Sequence, residues 1–422
     1  MNRPPASVRF ILITLVIDSL GFGLVVPIVP SLVLKLSGLT VSDASRWVGG
    51  LLAAFAIMQF LCAPVLGGLS DRFGRRPVLL LSLSGICANY VLLAWAPSLT
   101  WLVLGRLIAG ATAANAATAT AYIADVTPPK YRASQFGLIG AMFGIGFVAG
   151  PAIRGLLGAY GLRLPFIAAA ILAGCNVLYG LFVLPESLPP NRRRPFDWRR
   201  ANPLGSLLVV MASRDIARLA IAWGCNWFAL GALQTTFVLA NQERFGWDTQ
   251  QNGMALALAG LGSAVVQGLL VRRIVPELGE RRAAMIGAAI TAVAYLCLAF
   301  APFGWVVLLG IVLQSIGAIT NPAVQGMVSA TAAADRQGET QGSLSSVQGL
   351  TAIVSPLVAS WVFATFTGPT APIMLPGAPF VVSALAFGLS FWAVWGVRPS
   401  PALVSSNALA TVAPEPRSGG KP

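Results

Sequence analysis

The sequence contains no histidine, and only 10% of its 422 residues are charged. The first absence removes the commonest metal ligand and the commonest general base at neutral pH. The second falls far below the charged content of an average soluble domain, about a quarter. With 56% of residues hydrophobic, a soluble fold would hold more apolar surface than it can bury. Lysine is almost missing, 3 against 25 arginines, a bias that points to a GC-rich bacterial genome. The five cysteines (Cys62, Cys87, Cys175, Cys225, Cys297) all fall in apolar stretches without metal-like spacing. They read as small core residues, so no metal site and no disulfide framework is expected.

What is present is a series of apolar stretches near the ~20 residues that cross a bilayer as helix. They run over 8–34, 47–67, 77–96, 100–123, 134–158, 164–184, 216–240, 251–271, 283–301, 304–329, 340–366 and 376–397. This predicts an all-α integral membrane protein of about twelve transmembrane helices. The first stretch is long, carries Asp18 and lacks a clean small-residue cleavage pattern, so it is expected to remain as the first helix. A segment rich in proline and arginine divides six stretches from six. The expected organisation is an N-terminal half over 1–184, a cytoplasmic linker over 185–215, a C-terminal half over 216–397 and a disordered cytoplasmic tail over 398–422.

A constant offset of 205 residues aligns landmarks of the halves. It carries Gly74 to Gly279, Arg76 to Arg281, Leu104-Gly105 to Leu309-Gly310, Gly137 to Gly342 and Pro151 to Pro356. That predicts two repeats about a pseudo-two-fold axis, with substrate bound near the bilayer midplane between them. The net charge of +14 is one-sided: counted from a cytoplasmic N-terminus, 22 of the 28 Lys/Arg fall in the even loops and tails. Only Lys35, Arg46, Arg163 and Arg244 fall on the other side, and Arg106 and Arg154 within helices. The positive-inside rule then places both termini in the cytoplasm. No basic patch interleaves with aromatics on a soluble domain, so the charge faces a membrane surface and not nucleic acid.

Four motifs carry the chemistry. The loop after the second stretch reads Gly67-Gly68-Leu69-Ser70-Asp71-Arg72-Phe73-Gly74-Arg75-Arg76-Pro77. Its glycines allow a tight turn and Asp71 can accept from a helix N-terminus; a plain anchor of positive charge would need neither. In the first stretch, Asp18 is the only acid deep within any span, where an ionised carboxylate costs about 2.5–3.5 kcal/mol. It is either a functional group facing a cavity or a neutral acid that packs helices. Arg106, in Leu104-Gly105-Arg106-Leu107-Ile108-Ala109-Gly110, cannot shed its charge and needs a carboxylate, a carbonyl or water. Asp18 is the natural candidate in the same half, and the two would then set the titration of Asp18 between them. The repeat mate of Arg106 is Ile311, which confines coupling to the first half. The fourth motif is Gly146-Phe147-Val148-Ala149-Gly150-Pro151-Ala152-Ile153-Arg154-Gly155, with small residues for close packing and a proline bend.

These features resemble the major facilitator superfamily. The stretches SDRFGRRPVLLLSLSG, FGIGFVAGP, ERFGW and LAGLG resemble its tetracycline efflux proteins over nearly the whole chain. The resemblance implies two six-helix halves, alternating access and export of a drug-like compound in exchange for protons, without a cofactor beyond the proton gradient. It implies a cytoplasmic gate of Gly67, Asp71, Gly74, Arg75 and Arg76 with Asp125 as partner of Arg75. Asp18 and Arg106 would couple protons, and Gly146, Gly150, Pro151 and Gly155 would form the antiporter motif. Where the resembling proteins carry glycine this chain has Arg154, which snorkels to the outer interface, lines the pocket or impairs the motif. Asn89, Ser263 and Thr291 stand where those proteins carry titratable groups.

Intramembrane amides either join helices or line a pocket for an amphiphile together with Trp223 and Trp227. The pocket set is Gln59, Asn89, Asn115, Arg154, Gln234 and Gln314. The expected protein is a monomer in the bacterial cytoplasmic (inner) membrane whose partners are lipid, protons and a small-molecule substrate. Its rivals are a proton-coupled metabolite importer of the same fold, a membrane-embedded enzyme, which lacks paired buried carboxylates, and a non-transporting receptor, which lacks a soluble sensory domain.

Overall fold

The computed structural model describes residues 6–25, 28–127, 163–196, 213–331 and 337–397, with seven further positions between 142 and 161. All regular elements among them are helical. A bilayer interior offers no water to backbone groups, and a helix satisfies its own N–H and C=O groups, so apolar runs of this length take that form. In the first half, α1 (Ala6–Val25) and α2 (Val29–Ser37) meet at 43° as one bent span. Then come α3 (Val41–Phe73), α4 (Arg75–Trp95), the broken pair α5 (Leu99–Ala111) and α6 (Asn115–Val126), and α7 (Leu164–Phe182). The second half begins with α8 (Arg214–Phe245) and α9 (Thr249–Val265), which continues through a π turn at Val266–Leu270 into α10 (Val271–Leu278). It goes on with α11 (Glu280–Phe300), the broken pair α12 (Gly304–Gly317) and α13 (Thr320–Thr331), α14 (Gln337–Thr367) and α15 (Ala378–Trp395).

Among the described residues 10 helices, or 11 with the bent first pair, are long and apolar enough to cross a membrane. They coincide with eleven of the twelve expected stretches. The twelfth, 134–158, falls largely outside the described residues, as do 197–212 of the linker and the tail 398–422. Large side chains such as Trp95, Phe182, Trp361 and Leu385 stand exposed around the bundle, as a lipid-facing surface requires.

The 205-residue offset is a structural relation. Gly146 lies on the backbone of Ser19, and the mates Gly224 and Thr351 touch. Gly150 lies on the backbone of Gly23, and the mate Ser355 donates to the Phe228 carbonyl at 2.5 Å. Gly105 packs on Asn89 as Gly310 packs on the Ala294 carbonyl. Gly74 and Gly279 both join two helices at positive φ, 111° and 77°, where a Cβ is strained. Arg76 donates to the Leu181 carbonyl at the end of α7, and Arg281 donates to the Trp395 carbonyl at the end of α15. Both α5–α6 and α12–α13 break at corresponding places.

Helices α3 and α14 join the halves. Ser42 Oγ donates to the Ala364 carbonyl at 3.0 Å and Ser45 Oγ to the Ser360 carbonyl at 3.2 Å. Gly49 meets Ser360 and the Pro356 carbonyl directly, the close approach that small residues permit. These two hydrogen bonds lie at the start of α3, the opposite end of that helix from the arginine-rich Asp71 loop.

Candidate functional site

At the basic end, Arg75 is the centre of a bonded cluster. Its Nη1 lies 2.6 Å from Asp71 Oδ1 one turn earlier, and its Nε lies 3.0 Å from Asp125 Oδ2 at the end of α6. Nη1 also donates to Ser70 Oγ at 3.1 Å. Bidentate and multiple charge-assisted bonds suit the planar guanidinium, and here they tie α3, α4 and α6 together. The expected Arg75–Asp125 contact is formed, with Asp71 joining it.

Glu186, just past α7, is the member of this cluster that sequence reasoning missed. Helix α4 starts at Arg75 with Gly74 as its cap residue, so its first N–H groups have no side-chain cap of their own. Glu186 supplies one from a distance: Oε1 accepts from Arg75 N at 2.8 Å and Oε2 from Arg76 N at 3.2 Å. It also accepts from the N–H groups of Ser187 and Leu188, both at 3.0 Å. A carboxylate at a helix N-terminus is favourably placed in the helix dipole. The following chain continues the contact. Ser187 Oγ donates to Asp125 at 3.2 Å, Arg194 N donates to the Asp71 carbonyl at 3.1 Å, and the Phe196 ring covers Gly68. A Cβ on Gly74 would strike the Glu186 carboxylate, whereas a Cβ on Gly67 would meet nothing within 4 Å. Of the two glycines predicted for the gate, Gly74 is sterically required and Gly67 is not.

At mid-span, Asp18 Oδ2 accepts from Asn115 Nδ2 at 3.0 Å. The expected Asp18–Arg106 pair is not formed: no ion pair within 4.0 Å joins them. Arg106 is buried, its guanidinium 6.0 Å from the Phe55 ring centroid, and its Nε has no partner. Nine residues of continuous helix turn through about 180° beyond whole turns, so Arg106 and Asn115 cannot share a face. The break at Thr112–Ala114 leaves Arg106 on α5 and starts α6 with Asn115 toward Asp18. Tyr90 on α4 lies within electrostatic range of both Asp18 and Arg106 and packs on Gly21.

The remaining expected pocket residues are dispersed. Gln314 reaches Tyr295, whose hydroxyl donates to the Ala229 carbonyl at 3.0 Å, so it joins helices of the second half. Gln59 and Gln234 are half-buried and make no hydrogen bond among the described residues. Asn89 is buried against Gly105 with Oδ1 unpartnered. Thr291 donates to the Gly287 carbonyl at 2.9 Å, at the break of α12, and Ser263 is half-buried on α9. Gly146 and Gly150 press on α1, as close packing predicts; Pro151, Arg154 and Gly155 lie outside the described residues. In the second half Asn226 Nδ2 donates to Asn321 Oδ1 at 3.0 Å, an uncharged bond between α8 and α13 that mirrors Asp18–Asn115 within about one helical turn of the repeat position.

Comparison with known proteins finds relatives over most of the chain. The profile described as Major Facilitator Superfamily matches residues 11–278 and 276–417. The class C tetracycline resistance protein of Escherichia coli is 42% identical over 355 residues, covering 84% of this chain and 89% of that protein. The class E protein of Escherichia coli is 38% identical over 365 residues, covering 86% and 88%. The crystal structure of the human organic anion transporter MFSD10 superposes with a TM-score of 0.69 at 28% identity, covering 93% of this chain and 100% of that one.

Proposed function

Since the chain belongs to the Major Facilitator Superfamily, whose members move small molecules across membranes, we propose that it is a proton-coupled exporter of a small amphiphilic, drug-like compound. The observation that carries this is Asp18, an acid inside a span, hydrogen-bonded to Asn115, in a chain 42% identical to a tetracycline resistance protein. Protonation of Asp18 and binding of cargo alternate, and the halves rock so that the α3–α14 contact opens and closes. The 22-to-4 arginine and lysine asymmetry supports a bacterial cytoplasmic membrane with both termini inside. The test is a panel of amphiphilic drugs on inverted vesicles loaded with a proton-sensitive dye. Cargo-induced proton movement is expected in the native chain and absent in Asp18→Asn at matched expression. Undiminished movement in Asp18→Asn removes the proton role.

A second reading concerns the charge of the cargo. Arg106 is buried without an acidic partner, and the human relative of known structure is described as an organic anion transporter. A cargo bearing an acidic or enolic oxygen would complete its hydrogen bonding. Arg106→Ala should then weaken binding of acidic cargo about tenfold more than that of neutral analogues, the scale of a lost charge-assisted bond. Equal weakening of both would reject this.

A further inference from the structure

Helix α6 is twelve residues long and carries one polar stripe. Asn115, Thr118, Tyr122 and Asp125 recur at the spacing that keeps residues on a single helical face. Three of them are bonded to other parts of the chain. Asn115 bonds to Asp18, the Tyr122 hydroxyl donates to the Pro185 carbonyl at 3.0 Å, and Asp125 bonds to Arg75 and Ser187. Tyr122 is fully buried, and its neighbour along the stripe, Thr118, is buried as well. A stripe of this kind inside a span is costly unless its groups are bonded. The break at Thr112–Ala114 frees α6 from α5 and puts its N-terminus beside Asp18.

We propose that α6 is the lever that links the charge state of Asp18 to the Arg75 cluster, and that Asn115 is the positioning residue through which it acts. The inference rests on the proton role proposed for Asp18. Ionised Asp18 receives a charge-assisted bond from Asn115 and faces the positive end of α6. Protonation removes the charge from both interactions, and α6 is released at that end. Its far end lies about 15 Å away by helical rise, and there Asp125 holds Arg75 and accepts from Ser187 Oγ, while Glu186 holds the start of α4. A rigid helix pinned at both ends transmits the release as a shift of Asp125. Among the described residues, Tyr90 on α4 interacts electrostatically with both Asp18 and Arg106 of α5. Helix α7, packed on α1, carries no charged residue.

The test places a reporter in the cluster and cuts the lever at either end. Leu188 is buried beside Glu186, and the native cysteines all lie within spans. Leu188→Cys is labelled with a membrane-impermeant maleimide in inverted vesicles at acid and alkaline pH. The thiol's own pH dependence is read on Asp18→Asn carrying the same reporter, and chains without the reporter set the background. Labelling at acid pH is expected to gain about fivefold over that reference, the lower end of ordinary site-to-site coupling. Asn115→Ala and Asp125→Asn should each abolish the gain, although Asp125→Asn leaves Asp18 and Asn115 untouched. A gain that survives either variant overturns the lever and leaves the proton role of Asp18 standing. A response identical in the native background and in Asp18→Asn also overturns the lever, and the proton-flux assay on Asp18→Asn then tells separately whether its proton role stands. If Asn115→Ala does not accumulate, Asp125→Asn alone decides.

Discussion

Glu186 reaches back to cap the helix that begins at Arg75, taking both the Arg75 and Arg76 N–H groups on its two carboxylate oxygens. The chain leaving the first half is thereby fastened to the loop between α3 and α4. Glu186→Ala should destabilise the purified protein by about 1 kcal/mol, the usual cost of a lost helix cap. Glu186→Gln, which keeps an acceptor, should lose less. Thermal unfolding in detergent reads the order of the three proteins; equal stability of all three would mean that the cap carries no weight.

Gly74 and Gly67 should separate sharply. Gly74→Ala meets both a φ of 111° and the Glu186 carboxylate, so it should reduce accumulation of folded protein and slow transport. Gly67→Ala faces open space and should behave as wild type in both assays. Comparable defects in the two would indicate that the loop has another packing during the transport cycle.

The Asp18–Asn115 bond and the absence of an Asp18–Arg106 pair predict different energetic couplings. In double-mutant cycles on cargo affinity, Asp18→Asn combined with Arg106→Ala should be additive within about 0.5 kcal/mol, whereas Asp18→Asn with Asn115→Ala should deviate by more. The reverse pattern would restore Arg106 as the partner of Asp18.

Much of this was legible in the sequence. The spans followed from hydrophobic length, the halves from one offset, and the Arg75–Asp125 contact from the family resemblance that pairs the loop arginine with the acid at the end of α6. Glu186 was not, because its partners are 111 and 110 residues away and the only local signal was a helix start without a capping side chain. Asn115 was singled out as a pocket residue, and Arg106 as the partner of Asp18. Angular spacing alone shows that the two cannot occupy one face, but the break at Thr112–Ala114 is marked by no proline, and only the fold shows which of them turns toward α1.

Tetracycline itself should be a poor cargo. Asn89 and Thr291 are packed into helix contacts and bring no titratable group to their positions, and Ser263 brings none to α9. Expression of the native chain in a sensitive bacterium should give low tetracycline resistance; resistance equal to that conferred by the class C protein would show these positions to be dispensable.

Joining Ser45 and Ser360 should stop the cycle. Ser45→Cys with Ser360→Cys places one thiol on each helix at this contact, where Ser45 Oγ now meets the Ser360 backbone carbonyl at 3.2 Å. Oxidation should form a cross-link and abolish transport, and reduction should restore it. Transport at full rate in the cross-linked protein would show that α3 and α14 need not part.

The serines at that contact would also let it part at low cost. Ser45 Oγ already lies 2.6 Å from the Ser42 carbonyl of its own helix, and Ser360 Oγ lies 3.1 Å from the Leu357 carbonyl of its own. If the two helices separate, the Ser45 and Ser360 hydroxyls each keep a partner within their own turn, and only Ser42, near the start of α3, gives up its bond. An ion pair at the same place would leave two bare charges. At Ser45 and Ser360 the seam is therefore self-healing, and under the proposed cycle its strength can stay low enough for one bound molecule to decide whether it is open or shut.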